Sequence, residues 1–161
     1  MDEETRNDVG AAIGQIPSGL FIITAANDEQ RTGMLASFVQ QMCFEPPTVC
    51  VAIAKGRPIL PLISESQRFG LCQLQAGEKI ILRKFASGVD PEDDPLLGLK
   101  LVDGTATGVP ILTGVLSYLE CKVTNHMDVD ADHNVFIGRV VAGKYFGGKP
   151  EIRVRKNGFK Y

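Results

Sequence analysis

The feature that most constrains this fold is a series of short apolar runs, rich in β-branched and aromatic residues, separated by turn residues. Runs of about four to eight such residues between Gly, Pro, Asn and Asp are typical of strands. The predicted strands cover Gly19–Ala25, Arg31–Ser37, Thr48–Ala54, Arg68–Leu74, Val115–Asn125 and Val135–Phe146. Many short strands joined by short turns predict a mostly β fold, built as an antiparallel barrel or sandwich.

Three short helices are predicted between these strands. The first covers residues 7–15, where Asn7 or Asp8 can serve as the N-cap. The second begins at Pro58, because proline suits the first position of a helix. The third covers Ala76–Ser87, which carries apolar residues at helical spacing. All three are short, so they do not change the prediction of a mostly β chain.

Three further segments give weaker signals. Residues 88–94 are acidic and contain glycine and proline, which predicts an exposed loop. Residues 96–113 are interrupted by glycines and allow no clear assignment. Residues 151–161 alternate apolar and basic side chains at their start, which indicates either a last strand or an arm that contacts a second subunit.

Length and charge limit the classes of protein that remain. The chain has 161 residues, which predicts one domain over residues 1–161. Its formal net charge of −2 gives no reason to expect a nucleic acid or an anionic membrane as partner. The acidic N-terminus does not resemble a signal peptide, and no apolar run approaches the ~18 residues of a membrane span. A cytoplasmic protein with reduced cysteines is therefore expected.

Two motifs suggest a chemistry that their details do not support. Gly143–Lys149 resembles a phosphate-binding loop, but Pro150 stands where a hydroxyl residue is needed for the metal. The spacing of Cys121, His126 and His133 matches no common set of zinc ligands. We therefore expect neither nucleotide hydrolysis nor a metal site.

The turn that follows the strand Thr48–Ala54 has the chemistry of a phosphate site. Lys55 and Arg57 can neutralise the charge of about −1.5 to −2 on a phosphate monoester. Gly56 between them permits close approach of the backbone. Two cations in a turn also occur as a solvated corner without a ligand, so residue type alone leaves both interpretations open.

Two stretches of the chain resemble one known family. Residues 33–58, GMLASFVQQMCFEPPTVCVAIAKGRP, are similar to the core of the flavin reductase-like, FMN-binding split-barrel family. Residues 132–140, DHNVFIGRV, are similar to that family's D-H-x-x-F-x-G-x-V pattern. The resemblance covers roughly residues 9–150, and its two motifs occur in the family's order. It implies an antiparallel Greek-key split β-barrel with a few short helices that forms a homodimer.

The resemblance also implies a binding site for FMN. The flavin ring and ribityl chain would lie along Met34, Leu35, Ala36 and Ser37. The other flank of the ring would be lined by Gln41, Met42 and Cys43. The phosphate would be held by Lys55, Gly56 and Arg57. His133 would lie beside the ring, where nicotinamide stacks, and would orient one of the two rings.

Some of these residues have other ordinary roles. Met34 and Met42 could equally pack in the core, and His133 could simply satisfy the end of a strand. The activity that the family implies is transfer of a hydride from NADH or NADPH to FMN, with free flavin, iron or another protein as acceptor. A flavoredoxin-like electron carrier and a non-catalytic FMN- or haem-binding barrel are the alternatives. No adenosine-recognition motif distinguishes NADH from NADPH.

Overall fold

The computed structural model describes residues 1–88, 90 and 92–161. Short strands dominate this part of the chain, as the apolar runs predict. In chain order the elements are α1 (Glu3–Gly14), β1 (Ser18–Gly19), β2 (Phe21–Ala26), β3 (Arg31–Ala36), β4 (Val39–Cys43), β5 (Thr48–Ala54), α2 (Ile59–Ser66), β6 (Arg68–Gln73), α3 (Ile80–Ala86), β7 (Leu101–Asp103), β8 (Pro110–Leu112), β9 (Ser117–Asp128), β10 (His133–Tyr145) and β11 (Ile152–Arg153).

Seven of the strands form one antiparallel sheet in the order β3-β2-β6-β9-β10-β5-β4. Its two edge strands are joined in sequence by Ser37 and Phe38 alone. Three chain steps of ~3.6 Å place the Cα atoms of Ala36 and Val39 within about 11 Å of each other. The end of β3 and the start of β4 therefore lie close together at residues 37 and 38, hereafter the corner. The mostly β, antiparallel prediction is confirmed, whereas barrel closure and a homodimer stay predictions.

Both faces of the central strands are covered. In β2, Ile23 packs in one buried cluster with Phe69, Phe136 and the side chains of α2, while Ile22 packs in a second cluster beneath α3. Successive side chains of a strand point to opposite faces, so burial on both sides requires a continuous apolar run instead of an alternating one. Burial on both faces explains why these strands can be predicted from mostly apolar runs in the sequence.

The first helix begins earlier than the sequence predicts. Helix α1 covers Glu3–Gly14, and its N-cap is Asp2 instead of Asn7 or Asp8. The Asp2 carboxylate accepts a hydrogen bond of 2.8 Å from the backbone N–H of Thr5. The acidic side chains of the first turn also favour this start, because the N-terminal end of a helix carries partial positive charge.

Helix α1 packs through glycines instead of its larger apolar residues. Its buried residues are Gly10 and Gly14, while Ile16 just beyond it is 65% exposed. The Gly14 carbonyl accepts a 2.8 Å hydrogen bond from the N–H of Arg155, and the Gly10 carbonyl accepts one of 2.6 Å from the N–H of Gly158. These bonds fix residues 153–161, hereafter the C-terminal segment, along α1. The predicted last strand is reduced to β11, which pairs with β1.

Other predicted boundaries also shift. The third helix begins at Ile80 instead of Ala76, because Gly77 has a φ of +81° and the Glu78 carboxylate caps the N–H groups of Ile80 and Ile81. Strand β4 was not predicted, and neither were β7 and β8 within residues 96–113. Two positions of the predicted loop 88–94, residues 89 and 91, lie outside the described residues. The second helix follows Pro58 as expected.

A buried carboxylate connects β9 to the loop between β7 and β8. Glu120 is fully buried, and its Oε2 accepts hydrogen bonds from the N–H of Ala106 at 3.0 Å and from the N–H and hydroxyl of Thr107, both at 2.8 Å. The Thr107 carbonyl in turn accepts a 2.7 Å bond from the guanidinium of Arg68. The loop is thus fixed to the sheet by polar contacts.

Over the described residues, no helix is long and apolar enough to cross a membrane.

Candidate functional site

A cavity of about 660 Å³ lies beside the corner formed by Ser37 and Phe38. It is bounded by β3, by the end of β5, by α3 and by the C-terminal segment. Cavities of this size are typical of sites for small ligands and cofactors. Its two long walls differ in chemistry.

The first wall is largely apolar. It is formed by residues 33–38 of β3 and the corner, and it faces small side chains from β5 at Ala52 and Ala54. The side chain of Met34 packs against the core, so β3 presents mainly its backbone and small residues here. Such a surface lets backbone N–H and C=O groups approach a planar heterocycle. All four predicted flavin contacts of this strand, Met34 to Ser37, line the cavity.

The second wall is cationic. Five basic residues line the cavity, and no acidic residue does so within the part of the chain that the structure describes. They are Arg57, Arg153, Arg155, Lys156 and Lys160. The whole chain carries a formal net charge of −2, so this concentration of positive charge is local. A cavity that combines an apolar wall with a cationic wall suits a flat ligand with an anionic tail.

The predicted phosphate turn is divided between two surfaces. Arg57 lines the cavity, whereas Lys55 and Gly56 do not. The Lys55 ammonium lies 2.7 Å from a carboxylate oxygen of Asp128 and donates to the carbonyl of Val129 at 3.1 Å. The hydrogen bond from Lys55 is the main reason why the pKa of Asp128 is lowered. The positive φ of +83° at Gly56 turns the chain between the two cations.

The predicted second flank of the flavin ring lies elsewhere. Gln41, Met42 and Cys43 belong to β4, and none of them lines the cavity. All three are exposed on this edge strand, with Met42 51% exposed. Within one chain the structure therefore does not bring them together with Met34 to Ser37.

His133 lies behind the cavity and not in it. Its Nδ1 is 2.8 Å from a carboxylate oxygen of Asp132, and its Nε2 is 3.1 Å from the hydroxyl of Tyr161. Its ring also contacts Phe38, with centroids 5.4 Å apart. Tyr161 and Phe38 both line the cavity. His133 can therefore act on a ligand in this cavity only through its neighbours.

The pKa shifts of Asp132 and Tyr161 define the charge states of the two groups that contact His133. The hydrogen bond from His133 lowers the pKa of Asp132, which keeps that carboxyl ionised beside the ring. Burial raises the pKa of Tyr161, although Arg57 and Arg155 act in the opposite direction. Tyr161 therefore stays a neutral hydroxyl near neutral pH, able to donate or accept a hydrogen bond.

Sequence reasoning missed the wall that the C-terminal segment forms. The missed residues are Phe38, Arg153, Arg155, Lys156, Lys160 and Tyr161. One signal was available: residues 153–160 hold four basic side chains and no acidic one. The alternation at the start of this segment predicts a strand or a dimer arm, and that pattern alone does not place its basic residues beside β3.

Comparison with solved structures identifies the fold. The NADH:FAD oxidoreductase of Streptomyces globisporus superposes with a TM-score of 0.84 at 22% identity, covering 96% of this chain and 92% of that one. The flavin reductase of the styrene monooxygenase from Pseudomonas putida gives a TM-score of 0.75 at 26% identity, covering 89% of this chain and 90% of that one.

Sequence comparison agrees with the structural likeness. Diflavin flavoprotein A 1 of a Synechocystis species is 40% identical over 139 residues, which is 86% of this chain but 24% of that protein. The chain thus spans about a quarter of the length of this relative. The family model described as "Flavin reductase like domain" matches residues 13–155, which include β3, Arg57, His133 and the start of the C-terminal segment. The chain belongs to the flavin reductase-like domain family.

Proposed function

We propose that residues 1–161 form one FMN-binding oxidoreductase domain, which transfers a hydride from NADH or NADPH to FMN. The observation that carries this proposal is the pairing of a largely apolar wall with a cationic wall in one cavity. The ring of FMN fits the first wall, and its phosphate fits the second. Family membership favours a flavin over other flat anionic ligands.

The residues of the cavity fit this cofactor in three respects. Ala36 has a small side chain, so the backbone of β3 can approach a ring there, and Ser37 adds a hydroxyl at the corner. Arg57 can bind two phosphate oxygens at once. Leu20, Ile59 and Phe85 exclude water from the apolar side. When bound, FMN would supply the redox chemistry, and the protein would supply position and electrostatic field.

The spectrum of the purified protein tests this proposal. We expect FMN to bind and its fluorescence to be quenched, and NADH or NADPH to be oxidised steadily when FMN is added. Flavin that binds but is reduced only by a partner reductase would favour the flavoredoxin-like carrier. Absence of any flavin binding would contradict both, and would leave a barrel with another ligand.

We propose that His133 is a positioning residue that acts through Tyr161. Its two ring nitrogens are occupied by Asp132 and Tyr161, so the tyrosine hydroxyl is held in a fixed place at the cavity. Tyr161→Phe keeps the ring and removes the hydroxyl. We expect it to raise KM for the nicotinamide about threefold to tenfold with little change in kcat, because one neutral hydrogen bond contributes about 0.5–1.5 kcal/mol.

The same experiment separates positioning from a direct role of the histidine. In the Tyr161→Phe background, His133→Gln should add little further loss, since the contact through which it acts is already missing. A large additional fall in kcat in the double variant would instead assign His133 a direct part in the reaction.

We propose that the protein is a homodimer, as the family implies. Strand β4 is an edge of the sheet, and the segment there exposes large apolar side chains: Met42 is 51% exposed and Phe44 is 89% exposed. Unpaired edges with exposed apolar residues favour association. Such an interface could bring the partner's β4 to the cavity, where Gln41, Met42 and Cys43 are expected from the sequence. The mass measured by sedimentation velocity tests whether the protein is a dimer.

A cytoplasmic location of the protein stays a prediction.

A further inference from the structure

The cavity carries more positive charge than one flavin phosphate can neutralise. Of its five basic residues, Arg153 is paired, with its Nε 2.9 Å from a carboxylate oxygen of Glu151. Arg57, Arg155, Lys156 and Lys160 have no carboxylate within ion-pair distance among the described residues. A phosphate monoester carries about −1.5 to −2 charges near neutral pH. About two positive charges therefore remain without a counterpart.

The surplus belongs to the C-terminal segment. Arg155 is already engaged on its own surroundings, donating to the carbonyls of Gly158 and Lys160 and lying 5.3 Å from the centroid of the Phe38 ring. Lys156 and Lys160 are exposed at the cavity, and neither ammonium group donates a hydrogen bond to another described residue. They are the two cations free to bind a second anion.

The backbone holds these two lysines at the cavity. Hydrogen bonds from the N–H groups of Arg155 and Gly158 fix the segment on α1, on both sides of Lys156. The guanidinium of Arg6 also lies 4.6 Å from the centroid of the Phe159 ring, next to Lys160. The lysine stems therefore begin from fixed positions, which lowers the entropy lost when a ligand is bound.

We propose that Lys156 and Lys160 form a second anion site, which binds the diphosphate of the nicotinamide dinucleotide while Arg57 holds the flavin phosphate. A diphosphate bridge carries one charge on each phosphate, which matches the two unpaired lysines. The inference rests on the proposed function, because it requires two anionic ligands in one cavity. It implies that flavin and nicotinamide bind together, in a ternary complex.

FAD carries the same diphosphate, so the experiment must separate the two sources. The test variant is Lys156→Gln with Lys160→Gln. The control variant is Lys122→Gln with Lys149→Gln, which removes the same two charges from exposed positions that do not line the cavity. Equilibrium dissociation constants are measured for FMN and FAD by fluorescence quenching. The constant for NAD⁺ is measured by calorimetry on the FMN-loaded protein, where no turnover occurs.

We expect the test variant to raise Kd for NAD⁺ about tenfold and Kd for FMN less than twofold, and the control variant to change neither. A tenfold loss for FAD, with NAD⁺ unchanged, would assign the diphosphate to the flavin and overturn the proposal. Equal losses of affinity for NAD⁺ in the test and control variants would indicate a general electrostatic attraction instead of a site, and would also overturn the proposal. Unchanged affinity for every ligand, or no binding of NAD⁺ to the original protein, would also refute the second site.

Failure of this inference can be told apart from failure of the proposed function. If the original protein binds no FMN, the proposed function is wrong. If it binds FMN and oxidises NADH or NADPH while the test variant keeps its affinity for NAD⁺, only the second anion site is wrong.

Discussion

Replacing Arg57 with alanine should raise Kd for FMN about tenfold to hundredfold. Hydrogen bonds to charged groups contribute about 1.5–3 kcal/mol, and about 1.4 kcal/mol corresponds to a factor of ten. Arg57 is the one cation of the predicted phosphate turn that lines the cavity. Fluorescence titration with FMN and with riboflavin measures the effect, because riboflavin has the same ring and no phosphate.

Lys55→Ala is the matched control for this variant. Lys55 is two residues away but is occupied by Asp128 and by the carbonyl of Val129. We expect its loss to change Kd for FMN less than twofold. A loss for riboflavin as large as that for FMN in Arg57→Ala would contradict the phosphate role. An equal effect of both substitutions on FMN would support the assignment of the whole turn that the sequence predicts.

Replacing Glu120 with alanine should lower the free energy of unfolding by about 3–5 kcal/mol. The substitution leaves the buried N–H of Thr107 without its acceptor, and a buried unsatisfied group costs about 1–3 kcal/mol, whereas the N–H of the exposed Ala106 can bind water instead. It also removes the acceptor of the Thr107 hydroxyl and opens a cavity in the core. Urea unfolding followed by circular dichroism measures the loss.

Glu120→Gln gives the corresponding control. The amide keeps the volume of the side chain and one oxygen acceptor, so we expect a smaller loss, about 1–2 kcal/mol. If Glu120→Ala were within 1 kcal/mol of the original protein, the contacts to the loop between β7 and β8 would not support the sheet. Glu120 does not line the cavity at the corner, so we expect FMN affinity to be retained where the two variants fold.

The sheet could be predicted from the sequence where strands are buried on both faces. Strands β2, β5 and β6 each contain a run of mostly apolar residues that are buried or half-buried on successive positions. Strand β4 escaped detection because an exposed edge strand needs no apolar pattern, and Gln40 and Gln41 give it none. Its existence depends on pairing with β5, which local sequence does not reveal.

The sequence predicts the residues of the apolar wall, which one strand carries. It does not predict the cationic wall, because the C-terminal segment that forms it is distant in the chain. Residues 34–37 are consecutive, so a single strand carries all of them to the cavity. Arg155 and Lys160 reach it only because α1 has no side chain at Gly10 and Gly14 to hold the chain away. The different surroundings of Lys55 and Arg57 arise from one backbone angle at Gly56, which is invisible in composition.

The contact between α1 and the C-terminal segment has a consequence for how long a ligand stays bound. This contact rests on two backbone hydrogen bonds, at Gly10 and Gly14, and on the packing of Phe159 and Ile13, which both stay partly exposed, so we expect it to open at a lower free energy than the sheet unfolds. Such opening would uncover one side of the cavity and release a bound ligand without any movement of the sheet. Amide hydrogen exchange at Arg155 and Gly158 would report this motion directly, and saturating ligand should slow it at both positions together.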